Sequence, residues 1–154
     1  MLEILYPRRC AVCDEIEVTG KGICPLCKDK VHVAGEPACK KCGKPLVDER
    51  KEFCTDCGKK HHVYTQGKAV FVYEGGIRNS MYRFKYGNKR EYAEFYANAA
   101  LEKYGVWLNK IKAEVLIPIP MYSRKKRLRG YNQAEVFARE LGRKAGILVD
   151  EHLV

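Results

Sequence analysis

Two stretches decide the fold: CAVCDEIEVTGKGICPLC, residues 10–27, and CKKCGKPLVDERKEFCTDC, residues 39–57. All eight cysteines of the 154-residue chain lie in them, and each belongs to a C-x-x-C pair. The pairs are Cys10–Cys13, Cys24–Cys27, Cys39–Cys42 and Cys54–Cys57, with ten residues inside the first copy and eleven inside the second. This is a tandem repeat. Two residues between thiolates let a tight turn aim both sulfurs at one tetrahedral metal ion. Gly20, Gly22 and Gly43 supply the turns that such knuckles need. The sequence therefore predicts two structural zinc ions. Sequential pairing puts Cys10, Cys13, Cys24 and Cys27 on one and Cys39, Cys42, Cys54 and Cys57 on the other; an interleaved pairing satisfies the same spacing. His61 and His62 read as linker residues, because four sulfurs already fill each site. Four thiolates also leave no open position for a catalytic water. With few large apolar side chains in this part, metal binding has to supply much of its folding energy.

A disulfide framework is the competing use of eight cysteines, but it belongs to secreted chains. The opening MLEILYPRRC places Glu3 where a secretory signal carries cations, and its apolar stretch is short. Hydrophobic content of 46% with 31% charged residues describes a folded, soluble chain. Its densest apolar run is VLIPIP at 115–120, far below the ~20 residues of a membrane span. A cytoplasmic location is expected. The net charge of +10 is uneven: residues 1–66 hold 12 Lys+Arg against 10 Asp+Glu, and residues 67–154 hold 17 against 9. The second part thus carries the basic surface, and a polyanion is its natural partner.

We divide the chain into a cysteine-rich module at 1–62 and an α/β domain at 63–154. GKAVFVY (67–73) has the composition of a strand. Ile77, Met81 and Phe84 fall at helical spacing, as do Tyr92, Phe95, Tyr96 and Ala99 in a longer helix. Val115–Ile119 reads as a buried strand of a parallel sheet, apolar on both faces. Asn132 is placed to cap a helix with Glu135 at its third position, Val136, Phe137 and Leu141 on its apolar face and Gly146 at its end. ILVDEHLV begins another strand. Between strand and helix stand five cations in six residues, Arg124, Lys125, Lys126, Arg127 and Arg129. Ligands of open α/β sheets sit at the carboxyl ends of strands, so this run reads as a phosphate-binding loop. Lys85, Lys89 and Arg90 are its expected neighbours, and Tyr122 and Tyr131 could stack on bases.

Through three segments the whole chain resembles the amino-terminal two-thirds of the ComF family, phosphoribosyltransferase-like proteins linked to DNA uptake in competent bacteria. The segments are LYPRRCAVCDE (5–15), YRFKYGNKREYA (82–93) and IPIPMYSRKKRLRGYNQAEVFARELG (117–142). In the last, Pro118, Pro120, Arg124, Arg129, Gly130, Asn132 and Gln133 fall on the family's P-[IV]-P…R…R-G-[FY]-N-Q pattern. The resemblance implies a double zinc ribbon followed by the amino-terminal part of a type I phosphoribosyltransferase fold. It implies a site for single-stranded DNA or phosphoribosyl pyrophosphate (PRPP) on the basic loop: Arg124, Lys125, Lys126, Arg127, Arg129, Gly130, Tyr131, Asn132, Gln133 and Lys85. It further implies a helicase-like partner at the inner membrane face. The family's acidic pair and Thr- and Gly-rich PRPP loop do not occur in this sequence, so PRPP binding and transferase activity are expected only of a full-length relative. Three functions compete at this stage: an accessory protein of DNA uptake, a phosphoribosyltransferase, and a zinc-ribbon module for protein interaction.

Overall fold

A computed structural model describes residues 7–153. Residues 1–6, with Glu3 and the first two residues of the LYPRRC motif, and Val154 lie outside the described residues. Helices are α1 (Thr55–Lys59), α2 (Gly75–Tyr86), α3 (Tyr92–Lys110), α4 (Ser123–Arg129) and α5 (Gln133–Ala145), with a 3₁₀ turn at Pro25–Lys30. Strands β1 (Val115–Leu116) and β2 (Leu148–Val149) pair in parallel, Val115 opposite Leu148 and Leu116 opposite Val149. The chain is therefore a helix-rich mixed fold with two small cysteine modules and one two-stranded parallel sheet.

The two cysteine modules repeat one backbone plan. A single antiparallel bridge flanks each leading C-x-x-C, Arg9 to Ile16 in the first and Ala38 to Pro45 in the second. Each trailing pair begins at a helix N-cap, Cys24 before the 3₁₀ turn and Cys54 before α1. The residue after each leading pair is left-handed: Gly43 at φ 75° and Asp14 at φ 69°. An aspartate tolerates that conformation better than most side chains, at a cost that glycine avoids. Asp14 offsets it by making contacts that a glycine could not make.

The first module and the helices share one core. Ala11 is buried with Ile77, Phe84, Tyr92, Phe95, Tyr96 and Tyr131, and Ile23 and Val31 pack against them. The Asp14 carboxylate accepts from the Tyr92 hydroxyl at 2.6 Å and pairs with Lys89 at 2.8 Å. Arg83 donates to the Val12 carbonyl at 2.6 Å. Gly76 permits the close approach of α2, since a Cβ there would stand 2.7 Å from the Lys30 carbonyl oxygen and 2.8 Å from a Val12 methyl. Packing therefore runs continuously across residues 62 and 63.

Three expectations change. The stretch 67–73 is extended but joins no sheet strand; it lies antiparallel to residues 32–34, through Ala34 N–H to Val70 O and Val72 N–H to His32 O, both 2.9 Å. The edge of the cysteine-rich part takes those backbone groups. The strand expected at 115–119 ends after Leu116, because Pro118 and Pro120 have no N–H to give a ladder. Nor is it buried on both faces: Leu116 and Pro118 turn inward, and Val115, Ile117 and Ile119 are exposed. Finally, the basic run is no loop. It forms α4, entered from Tyr122 and ended by Gly130 at φ 78°, and Arg, Lys and Leu are all good helix formers.

Candidate metal centres and basic helix

Each set of four cysteines converges. All four sulfurs of Cys10, Cys13, Cys24 and Cys27 lie within 4.8 Å of one another, and so do those of Cys39, Cys42, Cys54 and Cys57. The pairing is sequential. A tetrahedron with zinc–sulfur arms of about 2.3 Å has edges of about 3.8 Å. Cys13 Sγ and Cys24 Sγ are 3.8 Å apart, and Cys42 Sγ and Cys54 Sγ 3.7 Å. These are zinc-site separations, and all eight cysteines are free of disulfides. Burial pushes the Cys10 thiol up, but backbone N–H groups, among them those of Val12 at 3.4 Å and Cys24 at 3.3 Å, bring it down to about 7. The same balance puts Cys39 at about 6. Burial and neighbouring thiols push Cys27 and Cys57 up to about 12. One thiol per site is thus lowered while others are raised, and a metal cation has to displace the protons of the most raised thiols. Two structural zinc ions fit these clusters.

Glu17, which the sequence reading missed, holds the turn inside the first copy. It is buried and accepts from the backbone N–H of Thr19 at 2.5 Å and of Gly22 at 3.1 Å, and from the Thr19 hydroxyl. Burial raises its pKa, but these donors outweigh it and hold the carboxyl below the usual glutamate range. His61 is exposed, and His62 stacks on Tyr64 with centroids 5.1 Å apart, outside both clusters.

The basic run divides by role. Arg124, Lys125 and Arg127 are exposed on α4, and no described residue pairs with them. Lys126 is tied to Glu135 at 2.7 Å. Arg129 lies over the Tyr86 ring, 4.6 Å from its centroid, and donates to the Tyr86 hydroxyl at 2.9 Å and to the Gln133 side chain at 3.0 Å. Three cations therefore face solvent, and two fasten the helix to its scaffold. Cations at the carboxyl-terminal turn of α4 also suit its helix dipole.

In the Gly-Tyr-Asn-Gln segment Gly130 is exposed, and the side chains of Tyr131, Asn132 and Gln133 turn inward. Tyr131 is 4% exposed, donates to the Phe84 carbonyl and carries the Arg90 guanidinium 4.7 Å above its ring. It cannot stack on a base; exposed Tyr122 still can. Asn132, 2% exposed, caps α5 by accepting from Ala134 N–H at 3.0 Å and donates to the Ile119 carbonyl at 3.0 Å. Gln133 donates to the Lys85 carbonyl at 3.2 Å. At the amino end of α5 the Asn132 side chain thus takes the Ala134 N–H, while its amide nitrogen donates to the Glu135 carboxylate at 3.3 Å. Of the expected neighbours, Arg90 donates to the Gly130 carbonyl at 3.1 Å, Lys85 is half-buried, and Lys89 turns away to Asp14.

Among the described residues no helix is long and apolar enough to cross a membrane. No curated protein and no solved structure matches the chain. Residues 1–58 match the family model of the double zinc ribbon domain, in agreement with the two four-cysteine sites.

Proposed function

We propose that the chain is a ComF-like accessory protein of bacterial DNA uptake, which binds single-stranded DNA through α4 while the double zinc ribbon braces the helices beneath it. The observation that carries this reading is the presentation of α4. Arg124, Lys125 and Arg127, exposed and without a partner among the described residues, project from a helix fastened by Lys126–Glu135, Arg129–Tyr86 and Arg129–Gln133. A rigid cationic ridge loses little entropy on meeting a phosphate chain. Contacts of these cations to phosphates carry no base identity, so binding through them is independent of sequence. The resemblance in residues 117–142 supports the phosphoribosyltransferase-like placement of this ridge beyond a strand end, and supports a helicase-like protein as neighbour.

The test is a titration of the zinc-loaded chain with a labelled oligonucleotide across salt concentrations, beside Arg124→Gln/Lys125→Gln/Arg127→Gln. Each phosphate contact on a single strand contributes a slope of about 0.7 in log affinity against log salt. Removing three contacts should lower the slope by about 2. An unchanged slope in the variant, or an affinity indifferent to salt in the parent, overturns the reading. Salt-steep binding of PRPP, with none of DNA, would transfer α4 to the transferase reading.

A further inference from the structure

Beside α4, the outer face of α2 carries an aromatic and basic row that the sequence reading assigned to no function. Arg78, Tyr82 and Tyr86 are spaced four residues apart and so share one face of the helix. Tyr82 is 65% exposed and Tyr86 58%. Their ring centroids are 5.1 Å apart, and the Arg129 guanidinium covers Tyr86 on from there, 4.6 Å from its centroid. Tyr82, Tyr86 and Arg129 are thus neighbours along one face, the two rings tilted 47° to each other. Beyond Tyr82 a cleft of about 530 Å³ is lined by Tyr73, Gly75, Arg78, Asn79 and Tyr82. Its walls include a third exposed tyrosine, Tyr73 at 62%. The exposed guanidinium of Arg78 has no partner among the described residues. Three exposed tyrosines, Tyr73, Tyr82 and Tyr86, thus stand beside an arginine that has no partner among the described residues.

We infer that this row is a stacking platform for the unpaired bases of a single-stranded nucleic acid. Tyr82 and Tyr73 receive bases, and Arg78 holds a phosphate. The inference rests on the proposed function and extends it: α4 supplies sequence-independent phosphate contacts, and α2 together with Tyr73 just before it supplies the preference for single over paired strands. Aromatic faces accept any exposed base, whereas paired bases are already stacked. Charge favours this occupant over an apolar peptide, since the row ends in arginine on both sides, Arg78 and Arg129. At 1.5 Å per residue, Arg78 to Tyr86 spans about 12 Å, room for about two nucleotides.

The experiment compares the parent, Tyr82→Leu/Tyr73→Leu and Tyr82→Phe/Tyr73→Phe, all zinc-loaded, for a single-stranded oligonucleotide, the same sequence as a duplex, and inorganic polyphosphate. The leucine variant should lose about tenfold in single-strand affinity per ring. Its salt slope and its affinity for polyphosphate should stay unchanged, because the cations remain. The phenylalanine variant should bind like the parent. Equal binding of duplex and single strand by the parent, or a leucine variant that binds the oligonucleotide like the parent, overturns the platform and leaves α4 standing. Loss of polyphosphate binding by the leucine variant also overturns it, since the tyrosines would then be shaping the cations. A parent that binds no oligonucleotide overturns both proposals. Both tyrosines are exposed, and unchanged circular dichroism confirms that each variant folds.

Discussion

Asn132→Ala separates a scaffold residue from a ligand contact. The Asn132 side chain closes the Ala134 N–H at 3.0 Å and the Ile119 carbonyl at 3.0 Å, and it also approaches Glu135 at 3.3 Å. Losing the cap costs about 1 kcal/mol, and losing the bond to Ile119 about 1 kcal/mol more. A destabilisation of about 2 kcal/mol corresponds to roughly 4–8 °C in Tm for a domain of this size. The assay is thermal unfolding followed by circular dichroism in excess zinc. Asn132→Ser retains the cap and should recover about half of the loss. Glu135 would stay paired with Lys126, so affinity for an oligonucleotide, measured well below Tm, should fall less than threefold. A variant as stable as the parent that no longer binds DNA would refute the assignment of Asn132 to the scaffold and return it to the ligand site.

Further outcomes follow from the packing. Cys10→Ser should lower the melting temperature of the whole chain, because Ala11 enters the core shared with the helices while the adjoining Val12 packs with Cys10 and Cys27. Cys54→Ser should melt only its own module, and the check is helical signal against temperature for the two variants; equal losses would contradict the asymmetry. Gly76→Val should be worse than Gly76→Ala, since even a Cβ at 2.7 Å from the Lys30 carbonyl forces α2 outward; overpacking of this kind costs about 1–3 kcal/mol in denaturant melts. Glu17→Gln should destabilise at pH 7. A carboxylate held below its unfolded pKa of about 4.3 contributes stability above that value and loses it as pH falls through the lowered one, so the gap between variant and parent closes in acid. A gap that widens in acid would mean that Glu17 is held protonated.

The zinc ligands were legible because the chemistry leaves so little freedom: four sulfurs about 3.8 Å apart impose a spacing that survives any fold around them. Helices α2, α3 and α5 were legible from period and caps, with Asn132 and Gly146 at the ends of α5 as read. The role of Asp14 was not legible, since it depends on Tyr92, 78 residues away. The inward turn of Tyr131, Asn132 and Gln133 was hidden for a similar reason. Their partners Phe84, Ile119 and Lys85 are backbone carbonyls, which carry no side-chain signature. The basic run was misread as a loop because its charge drew attention from its helix propensity. The length of β1 was overestimated by reading Pro118 and Pro120 as part of an apolar run instead of as missing donors.

The bare outer side of the parallel sheet gives α4 a second consequence, a colloidal one. Val115 and Leu148 stand in water on strands whose outer edges pair with no other strand among the described residues, and Ile117 and Ile119 are exposed just beyond β1. Such surfaces template self-association unless something guards them. The guards are written into the next residues: two prolines, then a dense block of positive charge that makes copies of the chain repel one another. Strip those charges, or screen them with salt, and the sticky strands are exposed to their neighbours. Solubility and ligand capture thus draw on the same cations. The glutamine variant of α4 should therefore begin to cluster at concentrations where the parent stays dispersed, and light scattering belongs beside every salt series run on either protein.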